Sequence, residues 1–512
     1  MIMAAAGYRS FYEAILDNAH DHPDKIYLKC VDDSRSVSYR ELFTATNRLS
    51  RLLAGMGVEP NDRVLLLANN GLEQALVFLG ILRHGACVCT VNVEMNERHL
   101  AQIIRAVAPR LLVFEMDDGI EKIVSAWSGT KLPLGVWTSD LNSGLFDEIS
   151  DLDAADPGPP ACGPNDDAVI FYTSGTEATP KGVIYDHATL FHNSDAGTRV
   201  MNVKEHDRVL EFRSCAWVSA QEIGLLGPLI RGATAVLARR FSRAHYLEWI
   251  RDHGVTIGAC VPAGINMLLK KSVDIRGVDL PDLRYITSSS APLLSEDMKN
   301  FERLYGITVA QSFGASELGW VSGSNGADRK IGTVGKPTKH QLVEVVDDIG
   351  NPLPAGSVGE IRVTSPTQGM TGYLLEDGTI ERTVPGPKMS GDLGFLDEEG
   401  YLTITGRARD IIIRGGVNIS PLEIDGVLAK HQDVAEVCTI GVPDQIFGEA
   451  VVSHIVTVPG TAPSERTLLD HCAAWLPAQK VPVRTIFRDV LPRNSRGKID
   501  RNALRAEWKA PS

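Results

Sequence analysis

No apolar run in this chain approaches the ~18 residues that a membrane-spanning helix needs, so no span is expected. Positive charge is also short: 51 Lys and Arg stand against 64 Asp and Glu, a net charge of −13. A general nucleic-acid binder would carry a basic face, so no nucleic-acid partner is expected, though a local basic patch for an anionic cofactor stays open. Paired cysteines are missing. Of eight cysteines only Cys87 and Cys89 lie close, in an apolar, strand-like run. That spacing suits neither a zinc site nor a disulfide framework, and buried reduced thiols are the better reading. The start, MIMAAAGYRSF, has no basic segment and no long apolar core. It does not read as a signal peptide, and the cytoplasm is the expected compartment. No fixed-period repeat is visible.

What is present is length and alternation. A chain of 512 residues holds about three units of ~150 residues. Tyr39–Met56 has helical spacing of Leu42, Leu49, Leu52 and Leu53; Arg63–Ala68 reads as a strand, Gln74–Leu82 as a helix and Ala86–Val91 as a strand. This alternation predicts a mostly parallel, layered α/β arrangement. A Pro/Gly/Asp-rich connector spans 152–166, and a second α/β run follows from Ala168 to about Gln311. Val343–Val346, Gly359–Val363 and Tyr401–Thr405, separated by turn signals, predict a small antiparallel β section. The last hundred or so residues show a hairpin at Gly415-Gly416, a helix from Pro421, strands at Ala435–Ile440 and Ala450–Val456, and a helix near Arg466–Leu476. They read as an α+β satellite domain. The expected division is 1–408 and 409–512.

Five stretches carry candidate chemistry. TSGTEATPKG, from Thr173 to Gly182, lies between the buried strand Ala168–Tyr172 and the short strand Val183–Tyr185, with Asp186 a good cap for a following helix. Its glycines let backbone N–H groups approach an anion, its hydroxyls donate, and Lys181 adds a charge. It is not a Walker A loop, because Lys181 follows Pro180 and precedes Gly182. By composition alone an ordinary polar turn is an equal reading. Gln311-Ser312-Phe313-Gly314-Ala315-Ser316-Glu317 offers an aromatic face, a close-approach glycine, a hydroxyl and a carboxylate; alone, it reads as a strand end followed by a helix cap. Asp392, in Met389-Ser390-Gly391-Asp392, could accept ribose hydroxyls or make an Asx-turn. Gly406-Arg407-Ala408-Arg409-Asp410 sits at the domain junction. Pro492 to Arg501 is a basic loop near the end of an acidic chain, from which Lys498 could reach a site on the main domain.

Taken together, in this order, the five resemble the motifs of the acyl-adenylate-forming superfamily: acyl-CoA synthetases, luciferases and the adenylation domains of peptide synthetases. The resemblance runs from about Tyr8 to Arg501. TSGTEATPKG resembles that family's phosphate loop, FGASE its adenine and magnesium motif, SGD its ribose motif, GRARD its hinge, and RNSRGKIDR its catalytic-lysine motif. Three places depart from the pattern. Glu177-Ala178 replaces the usual Thr-Gly, Ser288-Ser289-Ser290-Ala291-Pro292 replaces Ser-Gly-Gly-Ala-Pro, and the usual Trp or Arg before Asp392 is altered.

The resemblance implies a reaction in two halves: a carboxylate attacks the α-phosphate of ATP and expels pyrophosphate, then a thiol, usually that of coenzyme A, displaces AMP. It implies catalytic roles for Lys498, Glu317 and Ser316, with Mg²⁺ on Glu317 and Thr176. It assigns the nucleotide to Thr173, Ser174, Gly175, Thr176, Lys181, Ser290, Ala291, Pro292, Gln311, Ser312, Phe313, Gly314, Asp392 and Arg407. Trp217, Val218, Ser219, Gln221, Ser288 and Ala315 would line the acyl pocket, Arg409 would be the pivot, and Gly415 and Gly416 would line a pantetheine tunnel. Arg213 is either a solvent-facing or salt-bridged strand residue or a partner for a second anionic group on the substrate. No acidic residue marks an α-amino group reader. The expected partners are a small carboxylic acid and coenzyme A, or a separate carrier protein; a homodimer is left open. A nucleotide-binding regulator without catalysis is the reading from another class, and the joint presence of Lys498, Glu317 and Asp392 argues against it.

Overall fold

The computed structural model describes residues 7–33, 35–138, 142–172, 181–365, 367, 369–493 and 498–508. Thr173, Ser174, Gly175 and Thr176 therefore lie outside the described residues, as do Glu177, Ala178 and 494–497.

Two large sheets share one core. In the first, the strands Asp167–Tyr172, Cys87–Thr90, Arg63–Leu67, Leu111–Phe114 and Lys131–Pro133 run parallel. Gly182–Asp186, Gly372–Leu374 and Ile380–Arg382 add antiparallel strands at one edge. The second has a parallel centre of Ile26–Cys30, Thr234–Leu237, Arg208–Glu211, Ile257–Gly258, Tyr285–Ser288 and Val309–Ala315. Strands buried on both faces need continuous apolar runs, and Leu111–Phe114 is buried at every position. The helix Leu72–His84 is buried nearly all round because it lies in the core common to both sheets. Gly80 lets it meet the helix Tyr39–Gly55: a Cβ there would stand 2.7 Å from Leu49 Cδ1.

Leu342–Val346, Gly359–Thr364, Lys388–Leu396 and Leu402–Arg407 form the antiparallel section. The C-terminal region has its own sheet, of Val417–Ile419, Ile412–Arg414, Gly448–Thr457 and Val434–Asp444, with Arg484–Phe487 alongside. The helices Pro421–Leu428 and Glu465–Ala473 close its small core. The architecture is mixed α/β with a large N-terminal part and a smaller C-terminal part. All eight cysteines are free thiols. Among the described residues no helix is long and apolar enough to cross a membrane.

One local expectation changes. The chain after Ala315 does not enter a helix. Leu318 N–H bonds the Ala315 carbonyl at 3.0 Å, Gly319 takes a left-handed φ of 73°, and the strand Gly319–Gly323 returns antiparallel. Only glycine fits there, since a Cβ would fall 2.1 Å from Asn193 Oδ1.

Candidate active site

Asp392 lies in the strand Lys388–Leu396 and faces Arg407 of the strand Leu402–Arg407 in register. Its carboxylate is 7 % exposed, and Arg407 Nε stands 3.1 Å from Oδ1. Burial pushes the carboxyl pKa up, while the charges of Arg407, Lys498 and Arg409 oppose that. The charges of both Lys498, in the C-terminal region, and Arg409, at the junction, thus reach this carboxylate. The junction is a short 3₁₀ turn, Ala408–Asp410, and Asp410 is tied to Arg505 at 3.3 Å.

The segment Gln311–Glu317 is the end of a strand plus its turn. Phe313, Ala315, Ser316 and Glu317 are half-buried, Gly314 is exposed, and Ser312 is buried. Gly314 has no room for a side chain, because a Cβ would meet the Gly319 carbonyl oxygen at 2.6 Å. The turn is held from below. Tyr185 donates its hydroxyl to the Ser316 carbonyl at 2.8 Å, and Met370 N–H reaches the Glu317 carbonyl at 3.2 Å. Among the described residues no group of three or more His, Cys, Asp or Glu could hold a metal. Glu317 is thus a single hard carboxylate donor, a set that suits Mg²⁺ completed by phosphate oxygens and water.

Lys388 is a residue that the sequence reading missed. Its Nζ bonds the Met370 carbonyl at 3.3 Å, on the segment that holds Glu317. Burial lowers its pKa, and the Glu317 charge opposes that shift. The signal was there: a lysine four residues before Asp392, in the same strand. Lys181 stands just before the strand Gly182–Asp186 with its Nζ 5.9 Å from the Tyr373 ring centre, so two lysines flank the 370–373 segment.

On the acyl side, Trp217 is half-buried and opens the short helix Val218–Ala220, which continues as a π-helix, Gln221–Leu226. Gln221 is buried and turned inward, its Nε2 donating to Thr90 Oγ1 at 2.9 Å and to the Cys215 carbonyl at 2.8 Å. Gln311 likewise donates to the Thr333 carbonyl at 3.3 Å. Ser288 and Ser289 are buried at the end of the strand Tyr285–Ser288. Ser290 is exposed, with φ at 73°, followed by half-buried Ala291 and exposed Pro292. A left-handed serine is strained where the family's usual glycine would not be.

Arg213 does not face solvent. It is 3 % exposed and grips fully buried Glu211 with both arms, Nε to Oε1 at 2.9 Å and Nη2 to Oε2 at 2.6 Å. Its Nη1 donates to Ser289 Oγ at 3.1 Å, and Nη2 lies 3.5 Å from the Ser219 carbonyl. A second acid, Glu222, is 2 % exposed and accepts from Trp320 Nε1 at 2.8 Å, and burial pushes its pKa up to about 8. Neither glutamate was read from the sequence; Glu211 ends its strand and Arg213 follows two residues later, outside it. Gly415 and Gly416 form an exposed tight turn with φ of 57° and 81°, and Gly415 N–H bonds the Phe447 carbonyl at 2.8 Å.

Comparison with known proteins converges on one family. Residues 15–374 match the AMP-binding enzyme family, and residues 423–498 match the AMP-binding enzyme C-terminal domain. The chain is 33% identical over 488 residues to a sulfoacetate–CoA ligase of Cupriavidus necator, covering 94% of each chain. It is 30% identical to a fatty acid–[acyl-carrier-protein] ligase of Streptomyces coeruleorubidus, covering 92% of each. The crystal structure of ATP-bound MatB from Rhodopseudomonas palustris superposes with a TM-score of 0.88 at 27% identity, over 98% of this chain and 99% of that one.

Proposed function

Because the chain belongs to the AMP-binding enzyme family and is an ATP-dependent, AMP-forming acid–CoA ligase, we propose how its residues divide the two half-reactions. In the first, the acid's carboxylate attacks the α-phosphorus of ATP, the new C–O–P link forms, and pyrophosphate leaves. No protein nucleophile is needed; positioning and charge neutralisation supply the rate. Asp392 accepts the ribose hydroxyls while Arg407 lies beside the sugar, and Ser290 to Pro292 and Phe313 border the adenine. Ser316 contacts the α-phosphate. Lys181 and Lys388 face the β- and γ-phosphates together with the Thr173–Thr176 segment. Glu317, with Thr176, would hold Mg²⁺, which supplies charge neutralisation on the phosphates when bound. Lys498 reaches the bridging oxygen of the adenylyl transfer. The observation that carries this reading is the in-register pairing of buried Asp392 with Arg407 at 3.1 Å, where the charges of Lys498 and Arg409 also act.

In the second half-reaction the thiolate of coenzyme A attacks the acyl carbonyl, the C–S bond forms, and AMP leaves with its oxygen. For this step residues 409–512 turn about Arg409, Lys498 withdraws, and the Gly415-Gly416 turn takes its place beside the site. A carrier-protein thiol is the second reading, favoured by the carrier-protein ligase among the relatives. The relatives' names divide between a short sulfonated acid and fatty acids, so they do not choose the substrate. Free cysteines throughout fit a cytoplasmic enzyme. The test is pyrophosphate release from MgATP with short, medium, aromatic and dicarboxylic acids, with and without coenzyme A, thioester being read by mass spectrometry. Turnover that needs coenzyme A and yields thioester is expected. Release without thioester would move the assignment to a carrier protein, and no release with any acid would overturn it.

A further inference from the structure

The acyl side of the site has a floor that the ligase reading leaves unexplained. Glu211 and Arg213 extend from the end of the strand Arg208–Glu211, fully enclosed and joined by a bidentate pair. The guanidinium reaches Ser219, which the resemblance puts in the pocket wall, and Ser289, the neighbour of Ser288 in that wall. Nη1 donates to Ser289 Oγ at 3.1 Å, and Nη2 approaches the Ser219 carbonyl at 3.5 Å. From the opposite side Gly224 closes on Glu211, where a Cβ would fall 2.6 Å from its Cγ. Removing one partner of such a buried pair leaves a naked charge, so the pair does not part to admit a longer chain.

Ser289 stands where the family's usual glycine would be. Its oxygen accepts from a charged donor, so its own proton is left for another acceptor, and that donor is strengthened by the cation behind it. Next to it Ser288 Oγ is buried and bonds nothing among the described residues; the same is true of Ser312 Oγ on the neighbouring strand. Buried hydroxyls require partners. An alkyl end would leave them unpaired, whereas an oxygen-rich end would satisfy them. Strand ends of an α/β sheet are also where ligands dock.

We propose that the Glu211–Arg213 pair and the Ser288 and Ser289 hydroxyls close the acyl pocket at short range, and that the enzyme takes a short carboxylic acid whose far end is a second hydrogen-bond-accepting oxygen group, such as a carboxylate. This rests on the ligase reading above and sharpens it. Arg213 is a positioning residue: it acts on the substrate through Ser289, its charge being balanced by Glu211.

Succinate and butyrate have the same carbon count and differ only at the far end, and octanoate tests length. The kcat/KM for succinate in pyrophosphate release is expected to exceed that for butyrate by ~100-fold or more, because a site built to hydrogen-bond rejects the analogue lacking the group. Octanoate should be poorer still. Ser289→Ala should shrink the succinate-to-butyrate ratio by ~10-fold while the KM for ATP stays within about twofold. The double variant Glu211→Gln with Arg213→Met removes both charges while the glutamine oxygen still accepts the Phe212 and Arg213 N–H groups, and should raise octanoate turnover. Calorimetric titration of succinate and octanoate into the enzyme with AMP gives a readout besides turnover, with succinate expected to bind more tightly. Butyrate or octanoate matching succinate would overturn this proposal and leave the ligase reading intact. Pyrophosphate release with none of these three but with another acid of the panel above would also overturn this proposal alone, and release with no acid of that panel would overturn both.

Discussion

Glu222 is a carboxyl group enclosed by protein. It faces Trp320 from the strand Gly319–Gly323, Tyr185 from the strand Gly182–Asp186, and Arg213 from the segment just after the strand Arg208–Glu211. Arg213 is already committed to Glu211, so burial dominates and holds the Glu222 pKa near 8. The folded state therefore keeps a proton that the unfolded chain has released. Glu222 costs the protein stability as pH rises from the ordinary glutamate range to about 8, and the penalty is then constant. Between pH 5 and pH 8 the wild type should lose up to ~4 kcal/mol more than Glu222→Gln, which has no proton to lose. Urea melts of both proteins at the two pH values measure this, and parallel curves would contradict it. Such a group was illegible in the sequence, where Gln-Glu-Ile-Gly-Leu-Leu reads as one turn among many. Its burial is set by the π-helix, the glycine at 224 and a tryptophan almost a hundred residues away.

At the scale of elements, most strand positions were legible because each rests on a local rule: apolar alternation, a cap such as Asp186, or a glycine pair at a turn; the five motifs were read by resemblance to a family. The chain reversal after Ala315 was not. It depends on Gly319 meeting Asn193, a contact between distant segments. Arg213 was half legible. A salt bridge was one of its expected states, but its partner and its burial come from the bend after the strand, which turns it back onto Glu211 and toward the Ser219 carbonyl. The junction invites a prediction of its own. Arg409 occupies a 3₁₀ turn whose φ range proline can enter, yet proline would fix that angle for every conformation. Arg409→Pro should keep acid-dependent ATP–pyrophosphate exchange within a few-fold and slow thioester formation by ~10-fold or more. Equal losses in the two assays would remove Arg409 from the pivot role.

On the scale of the whole molecule, the proposed function has two regions share one site: the large part would supply Asp392, Glu317, Lys181 and Lys388, and the small part Lys498. Electrostatics tie the two together at Asp392, where Lys498 acts across the junction. A sequence can give the motif that carries the lysine; the meeting of the parts is a property of the folded chain. The measurement that bears most directly on this is Lys498→Ala assayed on the two half-reactions separately. Losing one preorganised cation should cut acid-dependent ATP–pyrophosphate exchange by ~100- to 1,000-fold, while supplied acyl-adenylate and coenzyme A still give thioester at near the wild-type rate. Undiminished exchange, or thioester formation that falls as far as exchange does, would contradict the account.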